Sequence, residues 1–599
     1  MKRINIYLLS VMSVFGALML QSCDDFFQTD PNNIINTDDY ISKDDEMYKG
    51  FLGIYTRMQD AGDHSVFLTD TRANVLEITG NAPVPLQNIY NYESTDGNEY
   101  ADPTCYYAIV IACNDYIHKM DEYHKRIQNS MSEKSETNFI ALLSSTIRIK
   151  VWAYYMLGRI YGEAYWFDDA LTELVELDNT EIFTKCTMQE LTEKCISLLE
   201  NGIVVDGVQI DSDIVMNWVA WLDEEMEDEA QYGYWQYLTP PYVLLRAELG
   251  SWRCNYLSEE AAKAEWLLIR DMLLQYMYGV HTGTIKVPGV NDAPDTENDE
   301  EDERDGVYQI GIQLQSDMSR VYYKIFASEQ VGQKFQLVSG IMYDYDNHQR
   351  NRLVQYFCPT WPGRGEGYFL KPSEYGKSLY AETDIRGLTQ KMVMNTLGGE
   401  EALTKYYYYY DGDARNFQYL RTNIFEIQPT IVTFRGHDFH FLLAEAENHL
   451  GNWRQARALL NGGLTEEFAE RPSYAAGETM PEGWAPEYIT WFGDAGGYGN
   501  NGIAGSARGT HHDLKSPEEY ASEAERIKAY DLAIADEHLL EYVAEGKSYS
   551  YLCKMAERYG KDPNIVADRV APKYAASGKD SKVRTAIQNG YFIQWNLEK

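Results

Sequence analysis

Three histidines, His437, His440 and His449, are the residues whose spacing comes nearest to a metal site. A step of three puts His437 and His440 on one face of a helix, which suits metal ligation in principle. No HExxH spacing accompanies them, and His449 lies beyond that face, so packing between paired helices is the favoured reading. Gly497-Tyr498-Gly499-Asn500-Asn501-Gly502 spells the dinucleotide fingerprint GxGxxG. It opens no helix and runs on into more glycine, so without the strand–turn–helix context it reads as a flexible loop. A glycosidase needs two carboxylates facing across a cleft. With 92 acidic residues in the chain, none stands out as such a pair, and GxSxG is missing. The cysteines beyond Cys23 (Cys105, Cys113, Cys186, Cys195, Cys254, Cys358 and Cys553) are odd in number, widely spaced and free of CxxC. They read as mostly buried thiols, with no disulfide framework and no zinc site.

Charge narrows the field further. A net charge of −40 argues against nucleic acid as a partner, because a phosphate backbone needs a basic patch. Asn291–Gly306 holds nine Asp or Glu and one Arg and reads as an exposed insertion loop. A structural calcium ion is the one cofactor it could take, although the EF-hand spacing is absent. No other cofactor is expected. The 48 tyrosines suit stacking on flat sugar faces and equally suit a protein interface.

The elements that must position these groups are mainly helices. In Phe139–Tyr161 the apolar residues recur at threes and fours. Tyr154-x-x-Leu157-Gly158-x-x-Tyr161, then Phe167-Asp168-Asp169-Ala170, matches tetratricopeptide offsets, with Gly158 and Ala170 leaving room where two paired helices cross. Leu244–Glu248 leading to Gly250-Ser251-Trp252-Arg253, and Leu442–Ala446 leading to Gly451-Asn452-Trp453-Arg454, repeat one theme: a helix ending at glycine and an aromatic packing the turn. Residues 280–435 lack helical periodicity and carry Gly, Pro and turn residues; Gly493–Gly509 is a second glycine-rich loop. Tyr406–Tyr410 reads as an alternating strand exposing one face. The expected fold is therefore mostly α, with helix pairs as scaffold, an irregular loop-rich half and a few short strands.

The N-terminus carries an address. Lys2 and Arg3 precede an apolar stretch from Ile4 to Leu20, too short and too polar at its start for a spanning helix. Leu20-Gln21-Ser22-Cys23 resembles a lipobox, which makes residues 1–22 a lipoprotein signal peptide and Cys23 the lipidated first residue. Residues 23–40 are then a tether, 41–280 an N-terminal helical part, and 281–599 a C-terminal part of irregular loops and further helices, forming one compact unit with the first. Asp24 and Asp25 resemble the surface-export signal of some Gram-negative lipoproteins.

Tyr107-x-x-x-Ile111-x-x-Asn114-x-x-Ile117, Arg148 through Tyr155 to Leu157, Tyr161 and Gly162, and Thr187-Met188-Gln189-Glu190 resemble, in order, early helices of the SusD/RagB family of outer-membrane lipoproteins. Pro372-Ser373-Glu374-Tyr375, Asp384-Ile385-Arg386, Phe434–Asp438 with Leu442–Ala446, and Glu537-His538-x-x-x-Glu541 with Glu545-Gly546-Lys547 continue the resemblance. Ile385 stands where the family has proline, and His538 where it has arginine. The resemblance implies TPR-like helix pairs and a non-catalytic protein. Anchored on the outer membrane facing outward, it would capture oligo- or polysaccharide for a SusC-like TonB-dependent transporter. The alternative it leaves open is the peptide-binding lid of a RagAB-type peptide importer. It also implies a ligand site built from loops, placed by position at Phe67–Tyr92 and at Trp361–Tyr368. The candidates there are Asp70, Arg72, Asn81, Tyr90, Tyr92, Trp361, Arg364 and Tyr368: rings to stack on a pyranose, polar groups to bond paired hydroxyls. Trp218, Trp221 and Tyr232–Tyr237 read as structural or transporter-facing.

Overall fold

Helix α1 (Asp44–Ala61) begins where Glu46 folds back to accept from the Ser42 and Lys43 amides at 2.6 and 3.2 Å. The structure is a computed structural model and describes residues 41–127, 130–171, 180–215, 237–281, 285, 321–326, 337–411, 414–463 and 502–595. The signal segment, Cys23, the tether, the acidic stretch at 291–306, residues 497–501 of GxGxxG, Trp218, Trp221 and Tyr232 to Trp235 lie outside them.

Past α1 come strand β1 (Leu76–Ile78), α2 (Val84–Tyr90), α3 (Thr104–Ile127) and α4 (Glu133–Tyr161). Helix α4 starts at Ser132, whose hydroxyl accepts from the Ser135 amide, and ends at Gly162, left-handed at φ 78°. Its apolar periodicity is satisfied on nearly every side, because almost the whole helix is buried. A hairpin of β2 (Glu163–Trp166) and β3 (Thr184–Thr187) leads to α5 (Met188–Asn201), opened by a reciprocal Thr187–Glu190 capping box. The hairpin β4 (Ile203–Val205)–β5 (Val208–Ile210), then α6 (Tyr242–Arg253) and α7 (Glu259–His281), complete this part. Successive helices pack on one another: α3 on α4, α4 on α5, α5 on α6, α6 on α7. That is the TPR-like pairing expected.

The later residues alternate short strands with loops. They include β6 (Leu337–Ile341), α8 (Leu353–Phe357), β7 (Leu370–Pro372), β8 (Met394–Leu397), β9 (Glu400–Leu403), β10 (Tyr408–Asp411), β11 (Asn416–Tyr419) and β12 (Ile431–Arg435). All the described sheets are two-stranded and antiparallel, and two of them, β1–β7 and β6–β12, join distant segments. Helices then return: α9 (Gly436–His449), α10 (Trp453–Leu460), α11 (Glu523–Glu541), α12 (Ser548–Arg558), α13 (Asn564–Val570) and α14 (Asp580–Asn589). Helix α9 packs on α7 and α11, and α12 on α4, so one cluster of buried apolar side chains runs from Ile41 to Ile593.

Three local readings need correcting. Ala170 is not on a helix: the chain turns into the β2–β3 hairpin, and the helix that meets Gly158 is α5, through Met188 and Leu191. Gly250 does not end α6, which continues to Arg253; its bare Cα lets Glu265, Arg246 and Ile269 approach. Tyr406 and Tyr407 are both buried ahead of the strand, where the Lys405–Tyr407 turn takes them inward, and only Tyr408–Tyr410 lie in β10. The glycine break after α9 is as expected, with Gly451 at φ 87°. All seven cysteines of the described residues are free thiols, most of them buried.

Candidate functional site

Strand β1 carries Glu77, and β7 pairs Lys371 directly opposite it, their side chains joined at 3.1 Å. Beyond β1 the chain turns through Thr79, Gly80 and Asn81. Together with Pro359, Tyr368 and Glu400, these residues line an open cleft of about 340 Å³. Asn81 donates to the Gly367 carbonyl at 3.2 Å, which ties the β1 turn to the loop holding Trp361. Gly367 must be glycine there, since an added Cβ would stand 2.6 Å from the Trp361 ring. Tyr368 adopts a left-handed backbone at φ 53°, unusual for a bulky residue. Its amide donates to Gln355 at 2.8 Å, its hydroxyl donates to the Glu401 carbonyl at 2.7 Å, and its carbonyl accepts from the Thr79 hydroxyl. The cleft thus offers a carboxylate–ammonium pair and a second carboxylate on strands, with an amide and a ring on the adjoining turn and loop.

Next to this loop is an aromatic surface. Trp361 is half-buried and meets Phe425 edge to face at 4.6 Å; Phe425 is 41% exposed. The β10–β11 register places Tyr408, Tyr410, Phe417 and Tyr419 on one face, and Tyr419 shares a 2.8 Å hydrogen bond with Thr360. Lys371, Glu400 and Phe425 did not stand out in the sequence. Lys371 is placed by the pairing of β1 with β7, Glu400 by the β8–β9 hairpin and Phe425 by the turn that meets Trp361, none of which a local pattern reveals.

The other expected residues fall elsewhere. Asp70, Arg72 and Tyr92 are interior residues, which corrects the placement that chain position implied. Asp70 accepts from the Gly546 amide at 2.7 Å, and burial pushes its carboxyl up to about 7. Arg72 lies over the Tyr92 ring at 4.5 Å, and the Tyr92 hydroxyl donates to the Arg72 carbonyl at 3.0 Å. Tyr90 is half-buried against Tyr574 at 4.9 Å, and Tyr574 donates to its carbonyl at 2.6 Å. Arg364 sits in the 3-10 turn Arg364–Glu366 of the Trp361 loop. Tyr90 and Tyr574 instead cover Lys573. Its buried ammonium donates to the carbonyls of Thr71 (3.0 Å), Ala73 and Leu76 (2.9 Å) under the Tyr90 and Tyr574 rings. Lys573 thereby clamps the segment that delivers β1 to the cleft.

The C-terminal motifs form a buried ionic network rather than a site. Arg386 holds Asp384 at 2.8 Å, Glu537 at 2.7 Å and Glu541 at 2.8 Å. Arg435 holds Glu541 at 2.9 Å and Glu545 at 3.0 Å, while Lys405 reaches Glu545 and Lys547 reaches Asp438. His437 faces Arg435 and Glu541, and His449 bonds Asp531 and stacks on Trp266 at 4.6 Å. These contacts explain the two histidines as packing residues. Among the described residues no group of three or more His, Cys, Asp or Glu is placed to hold a metal. No helix among them is long and apolar enough to cross a membrane.

No family model matches the sequence, and no curated protein matches it. Solved structures do. A SusD superfamily protein from Bacteroides thetaiotaomicron is 13% identical, with a TM-score of 0.50 over 90% of this chain and 96% of its own. A SusD homolog from the same organism is 13% identical, with a TM-score of 0.49 over 92% and 97%. Surface glycan-binding protein A from Bacteroides thetaiotaomicron, in complex with laminarihexaose, is 14% identical, with a TM-score of 0.47 over 87% and 91%. The chain has the SusD superfamily fold.

Proposed function

We propose that this chain is a SusD-type lipoprotein. Anchored through Cys23 to the outer face of the outer membrane, it holds oligo- or polysaccharide for a SusC-like TonB-dependent transporter, and it binds without cleaving. The observation that carries the reading is the cleft beside the β1–β7 pair. Glu77, Asn81, Lys371 and Glu400 line it, Tyr368 forms one wall, and the half-exposed Trp361–Phe425 pair stands on the adjoining loop. Paired hydroxyls of a sugar suit such mixed donors and acceptors, and its apolar faces suit the rings. The SusD fold and the ordered sequence motifs support the same class. Of the residues expected from the sequence, this reading gives the ligand to Asn81 and Tyr368, which line the cleft, and to Trp361, which stands with Arg364 on the adjoining loop.

Calorimetry of the mature protein against a polysaccharide panel, with a peptide mixture as a second arm, tests this. One glycan class should bind. Trp361→Ala should weaken it about 3- to 10-fold, the contribution of one stacked ring, and Asn81→Ala by a comparable factor. Binding of peptides alone would replace this reading with that of a peptide importer's lid. Glycan binding unchanged in both variants would move the site away from this cleft.

A further inference from the structure

We propose that the protein carries a site for a small monovalent anion of the chloride class, set between α4, α6, β12 and α12. A cavity of about 30 Å³ lies there, room for one or two atoms of water size. Among its lining residues are Arg159, His538 and Ser550, whose Nε, Nδ1 and Oγ are buried with no hydrogen-bond partner. The first is a donor, and the other two become donors by choice of tautomer and rotor. Three unpaired donors around one small void cost several kcal/mol in the interior unless something accepts from them.

The charges around the void select an anion over water. Two carboxylates line it, and each already faces a cation. Glu545 is bound by Lys405 at 2.7 Å and Arg435 at 3.0 Å; Glu248 accepts from the Tyr155 hydroxyl at 3.3 Å and faces Lys554 at 3.8 Å. Of the three cations in the wall, Lys547 is matched to Asp438 at 2.8 Å, and Lys554 is shared by Glu248 and Glu445, the latter also held by Arg558 at 2.5 Å. Arg159 is the exception. It donates to the Gly546 carbonyl at 3.0 Å and lies 5.2 Å from the Tyr155 ring, with no carboxylate in ion-pair reach among the described residues. A buried guanidinium left without a counter-charge is unfavourable. Asp70, which accepts from the Gly546 amide and feels the Arg159 charge, is a carboxyl that burial itself drives toward the neutral form. His538 feels the same surplus: after burial, Lys547, Lys554, Arg435 and Arg159 all disfavour its protonation. An anion accepting from Arg159, Ser550 and His538 satisfies the three donors and supplies the missing charge.

Crystals of the intact mature protein grown in bromide, measured at the bromine absorption edge, test the site directly. An anomalous peak inside the cavity, within contact of Arg159, is the expected result. In solution at constant ionic strength, with fluoride as the exchanged salt, Tm should rise by about 1 °C for each tenfold increase in bromide. Arg159→Gln should lose both the peak and the slope. Ordered water without anomalous signal in the wild-type cavity overturns the proposal whether or not the variant folds, as does a slope that Arg159→Gln leaves intact.

Discussion

Asp70 shows how much a single carboxyl can depend on where the chain buries it. It is 1% exposed, and desolvation outweighs the Gly546 amide and the nearby Lys405, carrying its folded pKa from the ordinary carboxylate value to about 7. A group raised on folding stabilises the native state below its unfolded pKa and loses that contribution as pH climbs through the folded value. The wild type should therefore lose stability relative to Asp70→Asn between about pH 4 and about pH 7, by up to about 4 kcal/mol. Denaturation of both proteins across that range checks it, and a difference flat in pH would remove the explanation. Asp70, Arg72 and Tyr92 also mark a limit on reading sites from residue type. An Asp, an Arg and a Tyr in one loop before an early helix suit hydroxyl binding, yet Asp70 meets its partner 476 residues away. Loop polarity is visible in sequence; the strand or helix end that comes to cover it is not. Asn81, Trp361 and Tyr368 differ in that a turn and glycines hold them at or beside the proposed cleft.

At the scale of elements, the helical period was enough to place α4, and the glycine after it was enough to end it. Gly162 has a left-handed φ of 78°, and an added Cβ would stand 2.6 Å from the Phe592 ring. Gly162→Ala should therefore cost about 1–3 kcal/mol, from backbone strain and overpacking together. Urea denaturation measures it, and an unchanged midpoint would mean that the end of α4 and the residues around Phe592 do not hold each other. Gly158 is a milder case, because its nearest neighbours are the flexible Met188 thioether and Leu191. The TPR offsets named Gly158 correctly and Ala170 wrongly for one reason. Close approach of two helices fixes the small residue on the first helix, whereas a hairpin inserted before the second leaves the later spacing free. The same holds for Gly250: glycine in sequence signals either a helix end or a close contact, and only the neighbouring Glu265 and Ile269 show which.

Over the whole molecule, the C-terminal motifs are legible as a group because they solve one electrostatic problem. Asp384 and Arg386, Lys405, Arg435 and Asp438, then Glu537, Glu541, Glu545 and Lys547 come from four stretches of chain and share one buried network. Burial alone would raise the carboxyl of Glu541, but His437, Arg435 and Arg386 overcome it and hold that carboxyl well below the usual range; Glu537 and Glu545 are lowered in the same way by their arginine and lysine partners. Groups lowered on folding stabilise the native state above their unfolded pKa and lose that contribution as pH falls through the folded value. Acid should thus unfold the protein progressively below the ordinary carboxylate range. Glu541→Gln should destabilise it at neutral pH by about 3–5 kcal/mol, since Arg386 and Arg435 each lose a partner. Because the network ties the loop-rich half to α9 and α11, hydrogen exchange in that variant should speed up together at residues 384–386, 405–407, 435–438 and 537–547. Faster exchange confined to α11 would mean that the network decorates the helix end without joining the halves. The cleft beside the β1–β7 pair would then owe its position to Lys573 and strand pairing alone.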